Sequence, residues 1–422
     1  MGRRLPRRRR VWHGLKTKQF SRPKSPDTEK DTVFSDPADT GQRIQRLRLV
    51  NSWSQAQLSE TAAVATGLVS MIEHGRHGLD SDSLQRVADS LECAPEYLAR
   101  PSRQPITTRP WLRAYADASK KAVDRYVADT EVAVEAIESL RLKRLPELLP
   151  TFDDDLNDDH AIEEFARDVR SAAGLQSDDV VGNCIRRAER LGVVVLPMDD
   201  ELGRHLGLSM RVDGIPVIRA SRPRLDQSGL VSPSGDRQRF TVAHELGHLA
   251  LHATTPPPST AHQARLVEQQ AHRFAGAFLA PAEPLLSDLD RLGGRVTLST
   301  LARLKEIWGV AIKMLVVRLR QLGLIDDQHA RSLYKQISAR KWNTSEPVAV
   351  SHEQAVWLEQ ALSRAHLGAH SAADALGLDV RYVRTWLNWD LDTSINEDLP
   401  EGVLPIRRPA SKHASTHQLI RR

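Results

Sequence analysis

A mainly helical chain, with an α+β domain in its second half and an all-α domain near its N-terminus, is what this 422-residue sequence predicts. Three observations carry that expectation. From Gly41 to Leu91, apolar residues recur at helical intervals in runs too short for one long helix. From Ile162 to Leu251, the pattern runs amphipathic helix, buried strand, hairpin, helix, which is an α+β order. The length itself is that of two or three domains, each large enough to bury a core.

Taken in order, residues 1–36 are rich in Arg, Lys, Pro and Ser and lack periodicity, which predicts a disordered arm. Positions 1–30 hold 11 Lys/Arg against Asp27 and Glu29, a local net charge of +9 in a chain whose formal total is +5, so the arm attracts polyanions. No apolar run of signal-peptide length follows Arg10, so the tandem arginines do not make a signal peptide. No stretch is continuously apolar over the roughly 18 residues that a membrane span requires. Trp308 to Leu319 comes nearest and is interrupted by Lys313 and Arg318, so no membrane partner is expected. Cys93 and Cys184 lie far apart and outside any Cys-x-x-Cys spacing. That excludes a disulfide framework and a thiolate zinc site, and it fits a reducing cytoplasm.

Residues 37–100 form the all-α domain. Ile44, Leu47, Leu58, Val64, Val69, Ile72, Leu84, Val87, Ala88 and Leu91 space out several short helices, with Ser54 capping the second and Ser81 or Asp82 opening the fourth. Gln42-Arg43-Ile44, Leu47-Arg48, Trp53 through Leu58, Ser70 through Arg76, Leu84 and Ala88 together resemble the XRE, phage-repressor-like, helix-turn-helix family over roughly 60 residues. The resemblance implies binding to double-stranded DNA, as a homodimer through or near this domain. Gln55 would touch backbone phosphate, and Thr66, Gly67, Ser70 and Met71 would face the major groove. Two departures qualify the match. Ala63 stands where the turn usually has Gly, and Thr66, Gly67 and Met71 offer few bidentate base contacts. Arg76, His77 and the N-terminal arm are then the expected phosphate contacts.

Pro101, Pro105 and Pro110 punctuate a linker, and Trp111 to Leu149 predicts one or two long charged helices, so 101–150 is a bridge. Residues 151–345 make the α+β domain. Its opening segment, 151–170, holds eight Asp/Glu against two Arg, a net of −6, with Asp153 to Asp159 as a loop. Ile162, Phe165, Ala166, Val169 and Leu175 mark an amphipathic helix, Val193 to Leu196 a buried strand, and Leu206 to Ile218 a hairpin turning at Asp213-Gly214.

The chemistry sits in the next segment. Residues 236–251 contain no Pro, and Phe240, Ala243, Leu246 and Leu251 keep helical spacing, so His244-Glu245-Leu246-Gly247-His248 lies on a helix. Two histidines four apart on a helix project from one face about 5–6 Å apart, the spacing one Zn²⁺ requires of two imidazoles. The pattern alone carries a risk of chance occurrence, and its context reduces that risk. Glu268 opens a second helical segment downstream of His248 and can return a carboxylate to the metal, giving a His₂Glu set with a fourth position for water. Glu245 is then the general base. A longer motif with a third histidine ligand is excluded, since it needs Gly at 251 and His at 254, where this chain has Leu251 and Thr254. His252 continues the i, i+4 ladder as a supporting or surface residue.

Leu191-Gly192-Val193, Arg239 through His248, Leu251-His252, Glu268 through Ala271, Phe274-Ala275 and Leu279-Ala280-Pro281 resemble the ImmA/IrrE family of zinc endopeptidases over roughly residues 155–345. The resemblance implies a zincin-like domain with one Zn²⁺ per chain, His244, His248 and Glu268 as ligands, and Glu245 as base. His272 replaces an Asn common in that motif and, one turn after Glu268, could orient the carboxylate or compete for the metal.

Gly294 to Leu322 is strongly apolar at helical spacing and is expected to be core. Residues 346–390 form a helical module in which Ala372 to Leu378, Val383 and Trp386 faintly resemble another helix-turn-helix, and 391–422 are expected to be a disordered tail. Two functions compete. In one, a DNA-tethered zinc endopeptidase cleaves a regulatory protein or toxin, such as the product of an adjacent gene, and so switches transcription. In the other, a non-proteolytic regulator or antitoxin uses the zincin domain to sense or grip a partner.

Overall fold

A computed structural model describes residues 36–391, apart from 102–103, 109, 111–118, 200–201, 203–205, 226–228 and 230. The basic arm and the C-terminal tail fall outside the described residues, except for Asp36 and Leu391. Asp36 is not part of an arm but the N-cap of α1 (Pro37–Val50), accepting from the Ala38 N–H with Pro37 at the first helical position. α2 (Gln55–Thr61) opens with a reciprocal capping box between Ser54 and Gln57. α3 (Thr66–Glu73) follows, then α4 (Ser81–Ser90), capped by Asp80 rather than by Ser81 or Asp82, and α5 (Pro95–Ala99). Ala63, in the turn between α2 and α3, has φ 50°, the left-handed conformation that a glycine accepts more readily. Arg48 grips Glu73 through two hydrogen bonds of 2.5 and 2.9 Å and donates to Trp53 O, while Gln55 Nε2 donates to Glu73 Oε2. This buried network ties α1, α2 and α3 together.

The predicted bridge is a single helix among the described residues, α6 (Lys120–Ser139). Pro146 and Pro150 keep the following segment out of helix, and it runs extended beneath the next domain, with Leu148 N–H donating to Leu191 O and Phe152 N–H to Ala250 O. α7 (Asp159–Ala172) and α8 (Cys184–Arg190) lead into β1 (Val194–Met198), β2 (Gly207–Val212) and β3 (Ile215–Ser221). The expected hairpin joins β2 to β3, and both turn residues have positive φ, Asp213 at 49° and Gly214 at 82°. The sheet order is β1-β3-β2, with β1 parallel to β3. A short antiparallel pair, β4 (Arg224–Leu225) and β5 (Val231–Ser232), precedes α9 (Gly235–Leu251) and α10 (Ala261–Leu279). The apolar stretch after Gly294 holds two helices and, as expected, is core. After α11 (Ala282–Arg291) come α12 (Leu298–Trp308) and α13 (Ile312–Gln321), divided where Gly309 takes φ 62°. α14 (Asp327–Ala339), α15 (Trp357–Arg364), α16 (Ala369–Leu376) and α17 (Val380–Leu387) complete the described chain.

The small sheet divides two cores, because alternate residues of a strand point to opposite faces. Val195, Ile218 and Ala220 join α7–α14 on one side. Val194, Leu196, Val217, Leu208 and Met210 join α1–α6 and α15–α17 on the other. Arg219 is fully buried on this second side, bonded to Asp129, to Thr130 Oγ1 at 2.9 Å and to Pro197 O at 3.0 Å, while Trp386 Nε1 donates to Asp129 Oδ1 at 2.9 Å. Three segments far apart in sequence therefore meet at one buried ion pair. Removing one partner from such a pair costs about 3–5 kcal/mol.

Candidate metal centre

α9 is held rigidly well before its first histidine. Asp236, in the first turn, is ion-paired to the buried Lys305, which also reaches Glu346 at 2.8 Å. Arg239 pairs with Glu353 at 3.2 Å, and Gln238 exchanges hydrogen bonds with the Glu353 backbone. Gly247 lets α10 close on α9, since a Cβ there would lie 2.9 Å from the Phe274 ring. Gly207 does the same for the sheet, since its Cβ would lie 2.6 Å from Thr241 Cγ2 and 3.3 Å from Glu245 Cγ.

These approaches bring the predicted ligands together. His244 Nε2 and His248 Nε2 are 3.1 Å apart, Glu268 Oε2 is 3.5 Å from the first and Oε1 is 3.7 Å from the second. One donor atom from each of the three lies within 4.8 Å of the others. Ligands about 2.0–2.2 Å from a tetrahedral ion stand roughly 3.3–3.6 Å from one another, so the set fits zinc.

A chain of hydrogen bonds fixes the state of His248. Gln270 Nε2 donates to Leu156 O at 2.9 Å, which turns Gln270 Oε1 toward His252 Nε2 at 3.0 Å. His252 Nε2 therefore carries the proton, and its unprotonated Nδ1 accepts from His248 Nδ1–H at 3.1 Å. That leaves the His248 Nε2 lone pair facing His244 and Glu268. Burial holds His248 well below the ordinary imidazole range, with His244, His252 and His272 acting in the same direction, so it stays neutral as a ligand must. Burial likewise takes His252 down to about 4.

Glu245 is 8% exposed, and Ser209 on β2 donates to its Oε2 at 2.7 Å. Burial pushes its carboxyl above the ordinary range, while His244 and the Ser209 hydroxyl pull the other way. His272 stands outside the three-donor group, its ring 4.6 Å from that of His244 and 5.4 Å from that of Phe240. Ser209 and Gln270 were not singled out from the sequence. Ser209 left a trace, as the polar residue between Leu208 and Met210 that alternation sends to the opposite face. Gln270 left none.

A cavity of about 630 Å³ opens beside the donor set, between β2, the end of α9 and the loop leading to α10, with Met210, His248, Leu249, Pro257 and Ala264 among its walls. The linker supplies part of its rim. Thr108 N–H donates to Arg211 O at 2.9 Å, and Asp213 N–H to Ile106 O at 3.0 Å, so residues 106–108 add to the edge of β2.

The residues expected at DNA lie elsewhere. Gly67, Met71 and Arg76 are exposed and Ser70 is half-buried on the outer side of α3, while the Thr66 hydroxyl is 3.0 Å from Ser59 Oγ. Gln55 spends its amide on Glu73, where a phosphate contact was expected. None of the helices among the described residues is long and apolar enough to cross a membrane.

Residues 188–320, about a third of the chain, match the M78 peptidase family, described as the IrrE N-terminal-like domain. The span holds His244, Glu245, His248 and Glu268, and the match supports a metallopeptidase-type domain in a family whose peptidases are typically zinc-dependent. No curated protein and no solved structure matches the chain.

Proposed function

We propose that the protein is a zinc-dependent endopeptidase that binds DNA and regulates transcription by cleaving a regulatory partner. The convergence of His244, His248 and Glu268 beside a buried Glu245 carries this reading. Those three residues would hold the ion, which supplies Lewis acidity toward a peptide carbonyl and a water molecule. Glu245 Oε2 is engaged by Ser209, which leaves Oε1 to take the proton of the attacking water and pass it to the departing amine. The raised affinity of this carboxylate for a proton suits a base that works near neutral pH. The cavity beside it takes the substrate chain.

The DNA-binding part of the reading rests on α2 and α3, a pair of short helices joined by a tight turn with an exposed outer face on the second. The basic residues of 1–30 would add affinity that falls with salt, by about 0.9 in log–log slope for each phosphate contact.

The test compares strains carrying the wild-type chain and Glu245→Gln, with the new protein N-termini in each sequenced across the proteome. A peptidase gives termini present with the wild type and missing with the variant. Identical sets of termini, with normal regulation by the variant, would leave the DNA-bound sensor that grips its partner without cutting it.

A further inference from the structure

One backbone corner recurs among the described residues: the end of a helix, a residue in the left-handed conformation, one further residue, and an N-cap opening the next helix. It joins α2 to α3 at Ala63 (φ 50°), α4 to α5 at Glu92 (φ 54°), α12 to α13 at Gly309 (φ 62°), α15 to α16 at His366 (φ 56°) and α16 to α17 at Gly377 (φ 75°). The copies at Glu92 and Gly377 agree in their hydrogen bonds. Cys93 N–H donates to Ala88 O and Leu378 N–H to Ala373 O, both at 3.0 Å, and Tyr97 and Tyr382 each donate to the carbonyl of their own N-cap. The sequences agree too, Ala88-Asp89-Ser90-Leu91 with Tyr97 in one and Ala373-Asp374-Ala375-Leu376 with Tyr382 in the other.

These two copies face each other. Cys93 and Leu378 form an antiparallel bridge, across which Ala94 N–H donates to Gly377 O at 2.8 Å and Asp379 N–H donates to Glu92 O at 3.0 Å. Because Ala94 corresponds to Asp379 and Glu92 to Gly377, the contact is reciprocal, as it is across the two-fold axis of a homodimer. Side chains also reach the two corresponding carbonyls, though from non-corresponding positions, the Tyr382 hydroxyl donating to Leu91 O at 2.8 Å and Arg100 to Leu376 O at 3.0 Å.

We infer that α15–α17 is a built-in stand-in for a second copy of the chain, occupying the self-complementary face of the α4–α5 corner so that the molecule is a monomer at that face. Charge selects the internal partner over a true second copy. Arg381 is ion-paired to Glu92, and the residue that corresponds to Arg381 in the α4–α5 corner is Glu96. Two α4–α5 corners brought together would therefore set Glu96 against Glu92, and like charges so placed repel. A homodimer built through this corner would need the face free. If α3 reads DNA, a second copy of it cannot be brought in through this face to fill the other half of a palindrome.

Cys93 makes the test direct. Residues opposite each other in an antiparallel bridge have Cα atoms about 4.5–5.5 Å apart, within the reach of a disulfide, and Cys184 is fully buried and does not compete. Under mild copper–phenanthroline oxidation, full-length Leu378→Cys should lose two thiols while light scattering still gives the monomer mass near 47.1 kDa. Wild type, treated alike, should remain monomeric with Cys93 reduced. Ala94→Pro with Asp379→Pro, added to Leu378→Cys, removes both bridging donors at positions whose φ of −72° and −63° accept proline, and should slow the cross-link at least tenfold. Two results would overturn the inference: wild type forming Cys93-linked dimers of twice the mass, or Leu378→Cys, folded by circular dichroism, keeping both thiols.

Discussion

The α9–α10 pair and the α2–α3 pair are both two-helix devices, and they differ in what their sequences specify. In α9 the spacing of His244 and His248 is covalent, so folding one helix already places two of the three candidate metal donors, and α10 needs to add only Glu268. In α2–α3 the functional surface is whatever stays outside once Leu58, Val69 and Ile72 are buried, and Thr66, Gly67, Ser70 and Met71 carry no charge that would name a ligand. A site that performs chemistry requires particular atoms at particular distances, whereas a recognition face is defined by its partner. The first therefore leaves a signature in a single chain, within a span that matches a peptidase family, while the second leaves none that names its ligand.

Five changes put that contrast to the test. The largest effect is expected at Glu245. Glu245→Gln should lower the rate of substrate cleavage by about 10²–10⁴-fold yet retain stoichiometric zinc by elemental analysis, whereas a His244→Ala/His248→Ala double change should lose the metal. Zinc held by the double variant would show that the ligands had been misassigned.

Next comes Arg48 in the other pair. Arg48→Ala leaves the Glu73 carboxylate buried without its guanidinium, at about 3–5 kcal/mol, and the thermal midpoint should fall with it. A loss under about 1 kcal/mol, the worth of an ordinary hydrogen bond, would mean that Gln55 alone satisfies Glu73.

Gln270→Leu removes the acceptor that sets the His252 proton and through it the unprotonated Nε2 of His248. Zinc affinity should drop about 10–100-fold, measured by competition with a chelator, with secondary structure unchanged. Unaltered affinity would show that the tautomer is set by the metal itself. The smallest effect is a gain: Ala63→Gly relieves a left-handed alanine and should stabilise the chain by about 1 kcal/mol in denaturant titration, leaving the metal centre untouched.

What could be read directly from the amino-acid sequence is what local rules control. The α9 helix and its His-Glu-x-x-His face, the Asp213-Gly214 hairpin and the Ser54 N-cap all depend on residues within one or two turns of each other, where periodicity, capping and turn preferences act directly. Elsewhere the pattern misled at its edges, extending the bridge helix through Pro146, because apolar spacing alone does not mark a break.

Which distant residues meet was settled by tertiary packing alone. Nothing in the vicinity of Ser209 announces Glu245, and nothing around Gln270 announces His252, because each contact spans a loop whose path the sequence pattern leaves open. The same holds for Arg219 and Asp129, two ordinary surface types made core by mutual neutralisation and by the Trp386 indole hydrogen bond, and for the corner at Cys93 and Leu378, whose repeat is visible in the letters but whose pairing is not. Side-chain periodicity tells a segment which face to bury; the shape of the assembled surfaces determines what that face is buried against.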